Sequence, residues 1–439
     1  MTLKAKRLSY FFLLFLPSIC FFYIGLFLTI SLRYQQNFSP EQWSEHLSLF
    51  SVIFFFWIFV FYFFHLFDLC YHRSMQKFLV AFFTIIVLNT IIAIGIFYAQ
   101  KNLLITPRRF LLIFQLITFS IIFFWMLSLR LLFQKRMQTP VIFLDLPQIS
   151  KQFLETKPYH NSSFTFFTSL PLTQFETDNS FTLPKKNPWI ILPDIVHLTD
   201  TQFKKIKHYH QEGATIVSCY YFCEEYFRII PLESVTEWWF LQNTQNSNLF
   251  SLALKRAVDF LFGVLIGIVF LSTFPLIALL IKFSDEGSIF FTQERLSLQG
   301  KPFILYKYRT MIKGTPTNTW TNPYDKRITS MGKFLRKTRL DELPQCFNLL
   351  NGTMSLVGPR PEQTHLSSAL AKQIPFYDER YRIAPGLTGW SQLHMYASSA
   401  EESKKKLEYD LYYLKHRSFF FDVEIIIKTI LYLFRFDGR

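Results

Sequence analysis

Two adjacent carboxylates, Asp341 and Glu342, follow directly on a strongly basic part of the chain. Residues 295–339 contain eleven Lys or Arg and a single acid, Asp325. A carboxylate that flanking arginines and a helix N-terminus keep ionised can attack phosphorus, and a neighbouring carboxylate can hold a Mg²⁺ ion that neutralises a phosphate. The pair is therefore a candidate for phosphoryl chemistry.

The structural alternative for Asp341 is a helix cap. Apolar residues recur at helical spacing from Leu343 to Leu350, and an Asn-Gly pair that commonly ends helices follows, so 341–350 is predicted to be a short helix. Asp is a preferred N-cap residue, and its position at the positive end of the helix dipole stabilises a helix by about 0.5–2 kcal/mol. The pattern alone leaves both interpretations open.

Basic residues near the carboxylate pair are candidates for binding an anion. Lys307 and Arg309 stand one residue apart in FILYKYRTM, so both lie on one face if this segment is a strand. Arg360 lies in a Gly-Pro-Arg-Pro turn that would hold it with little conformational entropy to lose. Binding to anionic membrane headgroups would explain the basic segment as well.

The elements that must position these residues begin with a hydrophobic third of the chain. Half of the 439 residues are hydrophobic, and apolar runs long enough to cross a bilayer fall near 9–32, 48–70, 78–99 and 110–133. They predict four transmembrane helices. The distribution of Lys and Arg favours a cytosolic N-terminus, with the loop between the third and fourth runs as an exception.

A fifth apolar segment, about 256–283, has basic residues on both sides and contains Pro275. Proline breaks or kinks a helix because it lacks the N–H and its ring clashes with the preceding turn. A segment that enters the membrane and returns would keep both basic flanks in the cytosol. We therefore predict a re-entrant helix. The apolar helix predicted over 419–434 carries three charges, which suit either the membrane interface or a domain core.

Between these membrane segments the composition is that of a globular domain. VIFLDL (141–146), WIILPDI (189–195) and ATIVSCYYF (214–222) are predicted strands, with a helix ending at Gly213 before the last one. The alternation predicts a small α/β domain with a parallel sheet. Asp-Leu-Pro-Gln replaces the glycine-rich phosphate loop of a dinucleotide fold, so we expect a degenerate Rossmann-like domain with a docking or regulatory role. The predicted domains are 1–136, 137–250 and 251–439.

Charge and cysteine usage narrow the functional class. The net charge of +15 suits a protein that lies against an anionic leaflet or binds phosphates at least as well as a nucleic-acid binder. The five cysteines have neither a disulfide-framework pattern nor a zinc-ligand spacing. We therefore expect reduced, structural thiols.

From about Leu254 onwards, over roughly 185 residues, the chain resembles the bacterial sugar transferases that act on polyprenyl phosphate, the monotopic phosphoglycosyl transferases. The preceding predicted membrane helices and α/β domain are similar to the large form of that family. The resemblance rests on motifs that follow one another in order: LKRAVDF (254–260), GSIFFTQER (287–295), KYRTM (307–311), LDELPQ (340–345), GTMSLVGPRPE (352–362) and PGLTGW (385–390).

The resemblance implies a ping-pong reaction. A sugar-1-phosphate would pass from a UDP-sugar to polyprenyl (undecaprenyl) phosphate, releasing UMP and initiating O-antigen, capsule or exopolysaccharide synthesis. It implies that Asp341 forms the covalent phosphosugar intermediate and that Glu342 binds the Mg²⁺ cofactor. It further implies that four basic residues bind the diphosphate or UMP: Lys307, Arg309, Arg360 and Arg382.

The resemblance also implies an α+β catalytic domain on the cytosolic face of the bacterial inner membrane. Membrane lipid would be a partner, a homodimer is suggested, and nucleic acid is not expected. Two alternatives remain open: a catalytically silent membrane scaffold for glycan assembly, and a polytopic transporter. The transporter is disfavoured because few ionisable residues lie within the apolar segments, and the main candidates, His65 and Asp68, suit interfacial or structural roles.

Overall fold

The computed structural model forms two compact units, Met1–Cys219 and Tyr220–Arg439. The division of the chain into three domains at 136 and 250 stays a prediction. The residues described are 3–34, 40–64, 66–67, 75–99, 107–133, 139–155, 164–178, 181–184, 187–243, 249–284, 287–312, 314, 325, 327–395 and 399–434.

In the described part of the first unit, four apolar helices precede the first strand. Their core is aromatic, with Phe22, Phe50 and Phe114 fully buried and the ring centroid of Trp57 4.2 Å from that of Phe119. Such stacked and edge-to-face rings add to the stabilisation from burial. The helices are α1 (Leu3–Tyr34), α2 (Pro40–Phe63), α3 (Met75–Ala99) and α4 (Pro107–Phe133).

Three helices within the described residues are long and apolar enough to cross a membrane: Phe11–Tyr34, Phe110–Leu132 and Leu249–Ser284. These helices indicate a membrane-anchored protein. The apolar parts of α2 and α3 are shorter, so the predicted count of four spans stays a prediction. Both transporter candidates, His65 and Asp68, lie outside the described residues.

The rest of the first unit is a four-stranded parallel sheet of order β2-β1-β3-β4. This confirms the small α/β region and a strand in each of the three predicted segments, and it adds the edge strand β2. The strand predicted over 214–222 ends at Ser218, because Cys219–Phe222 is helical. A capping box at Thr199 and Gln202 begins α7, and Gly213, with φ 100°, follows its end. The elements are β1 (Thr139–Leu144), α5 (Pro147–Glu155), β2 (Phe164–Leu170), α6 (Leu172–Thr177), β3 (Trp189–Leu192), α7 (Asp200–Gln211) and β4 (Thr215–Ser218).

Asp145 takes the place after β1 where dinucleotide folds have a glycine-rich loop. Its φ is 52°, in the left-handed region, and its Oδ1 accepts a hydrogen bond from the backbone N of Leu172 at 3.0 Å. The protein's own carboxylate therefore contacts the first residue of α6, at the helix end that attracts anions.

The second unit starts within the short helix α8 (Cys219–Phe222), which a π-helical turn, Cys223–Phe227, continues. Its sheets are the antiparallel hairpin β5-β6 and the parallel pair β7-β8. The remaining elements are α9 (Glu237–Asn243), α10 (Leu249–Ser284), β5 (Phe290–Leu296), β6 (Pro302–Tyr308), α11 (Ser330–Thr338), α12 (Cys346–Asn351), β7 (Ser355–Val357), α13 (Thr364–Gln373), β8 (Gly386–Thr388), α14 (Trp390–His394), α15 (Ala400–His416) and α16 (Phe419–Phe434).

The long apolar helix α10 runs without interruption from Leu249 to Ser284, with Pro275 inside it. Its first turns are bound to the remainder of the unit. The guanidinium of Arg256 donates to the carbonyls of Leu349 and Leu350, each at 2.6 Å, and so satisfies groups at the C-terminal end of α12. The LKRAVDF motif thus joins the membrane helix to the helix that follows the carboxylate pair. The re-entrant path stays a prediction.

Candidate active site

The carboxylate pair lies on a 3-10 helix, Leu340–Gln345, which α12 continues. The short helix predicted over 341–350 is therefore present, in two parts. The residue at its N-terminal boundary is Arg339, with φ 59°, and within the described segment 339–351 no side chain forms a capping hydrogen bond. The capping role considered for Asp341 is wrong.

Asn348 fixes this helical segment against the hairpin. Its Oδ1 accepts a hydrogen bond from the backbone N of Tyr306 at 3.2 Å, and its Nδ2 donates to the carbonyl of Ile304 at 2.8 Å. The buried amide thus takes the place of a neighbouring strand and satisfies the N–H of Tyr306 and the carbonyl of Ile304 on β6. Asn348 therefore sets the distance between the carboxylate pair and Lys307 on β6.

Glu342 is held by two cations. Its Oε1 lies 2.8 Å from Nζ of Lys307 and 3.4 Å from Nη2 of Arg360. Burial opposes ionisation of Glu342, but the charges of Lys307 and Arg360 hold its pKa well below its usual range. Glu342 is thus a stable anion that orients both basic side chains.

Asp341 has a different environment from its neighbour. Its side chain is 7% exposed, and its Oδ1 has no hydrogen-bond partner. Burial, together with the adjacent charge of Glu342, raises its pKa against the opposing effects of Lys307, Arg336 and Arg339. The flanking arginines therefore oppose the rise in the pKa of Asp341 without cancelling it. A poorly solvated carboxylate oxygen that faces no donor is available to react.

An open pocket of about 260 Å³ lies beside Glu342. Three of its lining residues are cations, Arg295, Lys307 and Arg360, and one is an acid. Burial, and then the nearby charge of Arg360, lower the pKa of Arg295 to about 10. Clustered cations repel one another, so an anionic ligand with more than one charge would relieve this repulsion.

The structure brings together four of the six predicted site residues: Asp341, Glu342, Lys307 and Arg360. Of these four, Glu342, Lys307 and Arg360 line the pocket, and Asp341 adjoins it through Glu342; Arg309 and Arg382 are not among its described lining residues. Arg309 follows the end of β6, and a Cβ on Gly287 would collide with its guanidinium. Arg382 pairs with Glu379 and lies over the Phe240 ring at 5.4 Å. The ligand-binding roles of these two arginines stay predictions.

Arg295 is a pocket residue that the sequence analysis does not identify. In the hairpin register Arg295 faces Phe303 and Lys307 faces Phe291. Cross-strand partners lie on the same face of a sheet, and side chains alternate along each strand, so Arg295 and Lys307 share one face. The alternation of side chains in FFTQER indicates on which face of the strand Arg295 lies. Only the hairpin register shows that this is also the face of Lys307.

Two networks hold the Gly-Pro-Arg-Pro turn that carries Arg360. The guanidinium of Arg360 donates to Oε1 of Gln392 at 3.2 Å. Its carbonyl accepts from Arg380 at 3.1 Å, and Arg380, 1% exposed at its side chain, pairs with Asp410 at 2.9 Å and with Glu362 at 3.3 Å. The buried Arg380 therefore fixes the backbone from which Arg360 extends.

Close backbone packing of β7 against β8 brings this turn to the PGLTGW motif. A Cβ on Gly386 would collide with backbone atoms of Gly358 and Thr388, which cannot move independently. We expect Gly386→Ala to destabilise the second unit by about 1–3 kcal/mol, as overpacking does, and to lower its activity.

Thermal unfolding of the purified full chain would measure the effect of Gly386→Ala. Gly267→Ala is the matched control, since apart from the neighbouring backbone of α10 itself no described atom lies within 4 Å of a Cβ at this position. It should be neutral or stabilise the helix by about 0.5–1 kcal/mol. Equal stability of the two variants would contradict the packing described here.

The residues at the carboxylate pair fit the Mg²⁺ ion that the resemblance implies. No cluster of three or more His, Cys, Asp or Glu that could hold a metal occurs among the described residues. Mg²⁺ commonly uses only one or two carboxylates together with water and substrate phosphates. The unpartnered Oδ1 of Asp341 next to Glu342 fits that requirement.

Comparison with known proteins places residues 250–436 in the family described as bacterial sugar transferase. UDP-N-acetylgalactosamine-undecaprenyl-phosphate N-acetylgalactosaminephosphotransferase of Aeromonas hydrophila is 40% identical over 180 residues, which are 40% of this chain and 43% of that protein. UDP-glucose:undecaprenyl-phosphate glucose-1-phosphate transferase of Escherichia coli K12 is 37% identical over 182 residues, 40% of this chain and 39% of that protein.

A UDP-glucose:undecaprenyl-phosphate glucose-1-phosphate transferase of Caulobacter vibrioides is 36% identical over 189 residues, which are 42% of this chain and 71% of that protein. The matches thus span about two fifths of the first two relatives and most of the third. The chain belongs to the bacterial sugar transferase family.

Proposed function

We propose that this protein is a phosphoglycosyl transferase that moves a sugar-1-phosphate from a UDP-sugar to undecaprenyl phosphate. The observation that carries the proposal is the pocket in which Arg295, Lys307 and Arg360 lie beside Glu342, the chain neighbour of Asp341. A diphosphate supplies the charge that such a pocket lacks. The names of these relatives describe the same class of reaction.

In the proposed first step, a carboxylate oxygen of Asp341 attacks the phosphorus that bears the sugar. The bond from this phosphorus to the bridging oxygen breaks, and UMP leaves with the electron pair. Lys307 and Arg360, oriented by Glu342, hold the phosphate oxygens as charge develops on them. The product of this step is an aspartyl-phosphosugar enzyme.

In the second step a phosphate oxygen of undecaprenyl phosphate attacks the same phosphorus. The acyl-phosphate bond breaks, so Asp341 is regenerated and the lipid carries a diphosphate-linked sugar. Mg²⁺, when held by Glu342 and the free oxygen of Asp341, would neutralise phosphate charge. The cationic residues of the pocket remain in place for both steps, because Glu342 and the Arg360 turn anchor them.

The remaining proposals concern the membrane. We propose that four N-terminal helices span the bacterial inner membrane and that α10 enters the membrane and returns. In this arrangement the pocket faces the cytosol, where UDP-sugars occur, and the initiated glycan is an O-antigen, capsule or exopolysaccharide. The basic flanks of α10 and the exposed apolar side chains along it support this arrangement. A homodimer remains part of the proposal.

The reaction can be tested with the purified full chain in nanodiscs. Mg²⁺, undecaprenyl phosphate and a panel of UDP-hexoses and UDP-N-acetylhexosamines would be supplied, and released UMP would be measured. We expect release with at least one sugar and formation of one lipid-linked product per UMP. Absence of release with every sugar would overturn the proposed reaction.

A further inference from the structure

The segment Tyr220–Asn243, here called the strap, precedes the residues that match the family and yet belongs to the second compact unit. Its apolar side chains are part of the core of that unit, where Ile230 is fully buried and Leu232 is 4% exposed. Two backbone hydrogen bonds join it to α15: the N–H groups of Ile230 and Leu232 donate to the carbonyl and the carboxylate of Glu408, each at 3.1 Å. The strap is therefore built into the unit that carries the pocket.

Arg228 joins the strap to α14 and α16 through charge and ring contacts. Its Nη1 and Nη2 donate to the two carboxylate oxygens of Glu424 on α16 at 2.7 and 3.2 Å. Its guanidinium also lies over the rings of Trp390 and Phe421, at 4.7 and 5.0 Å from the centroids. A bidentate ion pair between aromatic rings holds a guanidinium in one orientation.

From Arg228 a short series of contacts leads to the pocket. Nε1 of Trp390, the first residue of α14, donates to the carbonyl of Arg228 at 3.0 Å. Gln392 on the same helix accepts from Nη1 of Arg360 at 3.2 Å. Nη2 of Arg360 is 3.4 Å from Glu342. The position of α14 thus decides where the guanidinium of Arg360 can lie.

We infer that Arg228 is a positioning residue for the active site, acting through Trp390, α14 and Gln392 on the guanidinium of Arg360. The inference rests on the proposed function, because Arg360 is taken to hold a substrate phosphate. Without the strap contact, α14 and Gln392 hold the guanidinium less firmly, and substrate binding must then order it. Small displacements of such a group lower turnover strongly.

The test compares full-length variants in the UMP-release assay. Arg228→Ala removes the ion pair and the ring contacts, whereas Glu424→Gln keeps size and shape and removes only the charge. We expect kcat/KM for the UDP-sugar to fall about 10- to 100-fold for Arg228→Ala, and less for Glu424→Gln. The matched control is Lys404→Ala, which breaks an exposed pair between α15 and Glu233 of the same strap. Its kcat/KM should stay within about twofold.

A double-mutant cycle separates positioning from general destabilisation. Gln392→Ala removes the last contact of the series, so adding Arg228→Ala to it should cost little more activity than Gln392→Ala alone. Effects of the same two substitutions on thermal unfolding should add, since their side chains make separate contacts. Additive losses of activity would overturn the inference, as would wild-type activity in both Arg228→Ala and Glu424→Gln.

Titration of UDP into each variant with Mg²⁺, measured by calorimetry, gives a readout that does not need turnover. If the wild-type protein binds UDP but releases no UMP, the proposed reaction fails while the positioning role is still decided. Weaker UDP binding by Arg228→Ala than by Lys404→Ala would then support the positioning role of Arg228, and equal binding would overturn this role. A wild-type protein that neither binds UDP nor turns over would overturn both.

Discussion

Asp341→Asn is expected to reduce UMP release by a factor on the order of 10⁴ or more, because the amide cannot form the bond to phosphorus. The substitution conserves shape, and Oδ1 of Asp341 has no hydrogen-bond partner to lose. The change also removes a buried carboxyl next to Glu342 and so lowers repulsion between like charges. We therefore expect the variant to fold at least as stably as the wild-type protein.

The matched control for Asp341→Asn is Glu342→Gln, the same change one residue later. It removes the charge that Lys307 and Arg360 share, so we expect weaker substrate binding and a changed Mg²⁺ dependence together with residual turnover. Kinetics with purified variants across a Mg²⁺ series would measure both effects. A larger loss for Glu342→Gln than for Asp341→Asn would show that Asp341 is not the nucleophile.

Arg380→Ala is expected to have the largest effect on stability, about 3–5 kcal/mol, because it leaves the buried carboxylate of Asp410 with an uncompensated charge and removes one of the two cations that pair with Glu362. The side chain of Arg380 is 1% exposed, and its partners Asp410 and Glu362 are 2% and 9% exposed at theirs. Lys406 still pairs with Glu362, which limits the loss at that carboxylate. The carbonyl of Arg360 also loses its donor.

Pulse proteolysis in urea, with the fragments of the second unit identified by mass, would measure this loss in the full chain. The control is Arg382→Ala, two residues later, since Arg382 is 44% exposed at its side chain. Its effect on stability should be within about 0.5 kcal/mol of zero. Similar unfolding midpoints for Arg380→Ala and Arg382→Ala would contradict a structural role of the buried network.

Sequence patterns predicted the parts of the fold that depend on local periodicity. The apolar helices α1 to α4, the long helix α10, and strands β1, β3 and β4 all follow from hydrophobic runs and stop signals such as Gly213. The edge strand β2 was not predicted, because Phe166 and Phe167 are both exposed and the segment shows no clear alternation. Its place in the sheet depends on pairing with β1.

Motifs identified the carboxylate pair, Lys307 and Arg360, but they could not show which cations meet in one pocket. Arg295 enters it through the hairpin register, and Gln392 reaches Arg360 through the packing of β8 and α14. The unequal environments of Asp341 and Glu342 were also beyond the sequence. Both carboxylates follow the same basic segment, and only burial and the distances to Lys307 and Arg360 separate them.

The most direct test of the covalent mechanism is isotope exchange in the absence of undecaprenyl phosphate. Labelled UMP would be incubated with the purified wild-type protein, Mg²⁺ and the active UDP-sugar, and the label in recovered UDP-sugar would be measured. A reversible first step at Asp341 predicts exchange without acceptor, no exchange in Asp341→Asn, and a phosphosugar adduct on the peptide containing Asp341. Exchange that requires undecaprenyl phosphate, or that persists in Asp341→Asn, would contradict the intermediate.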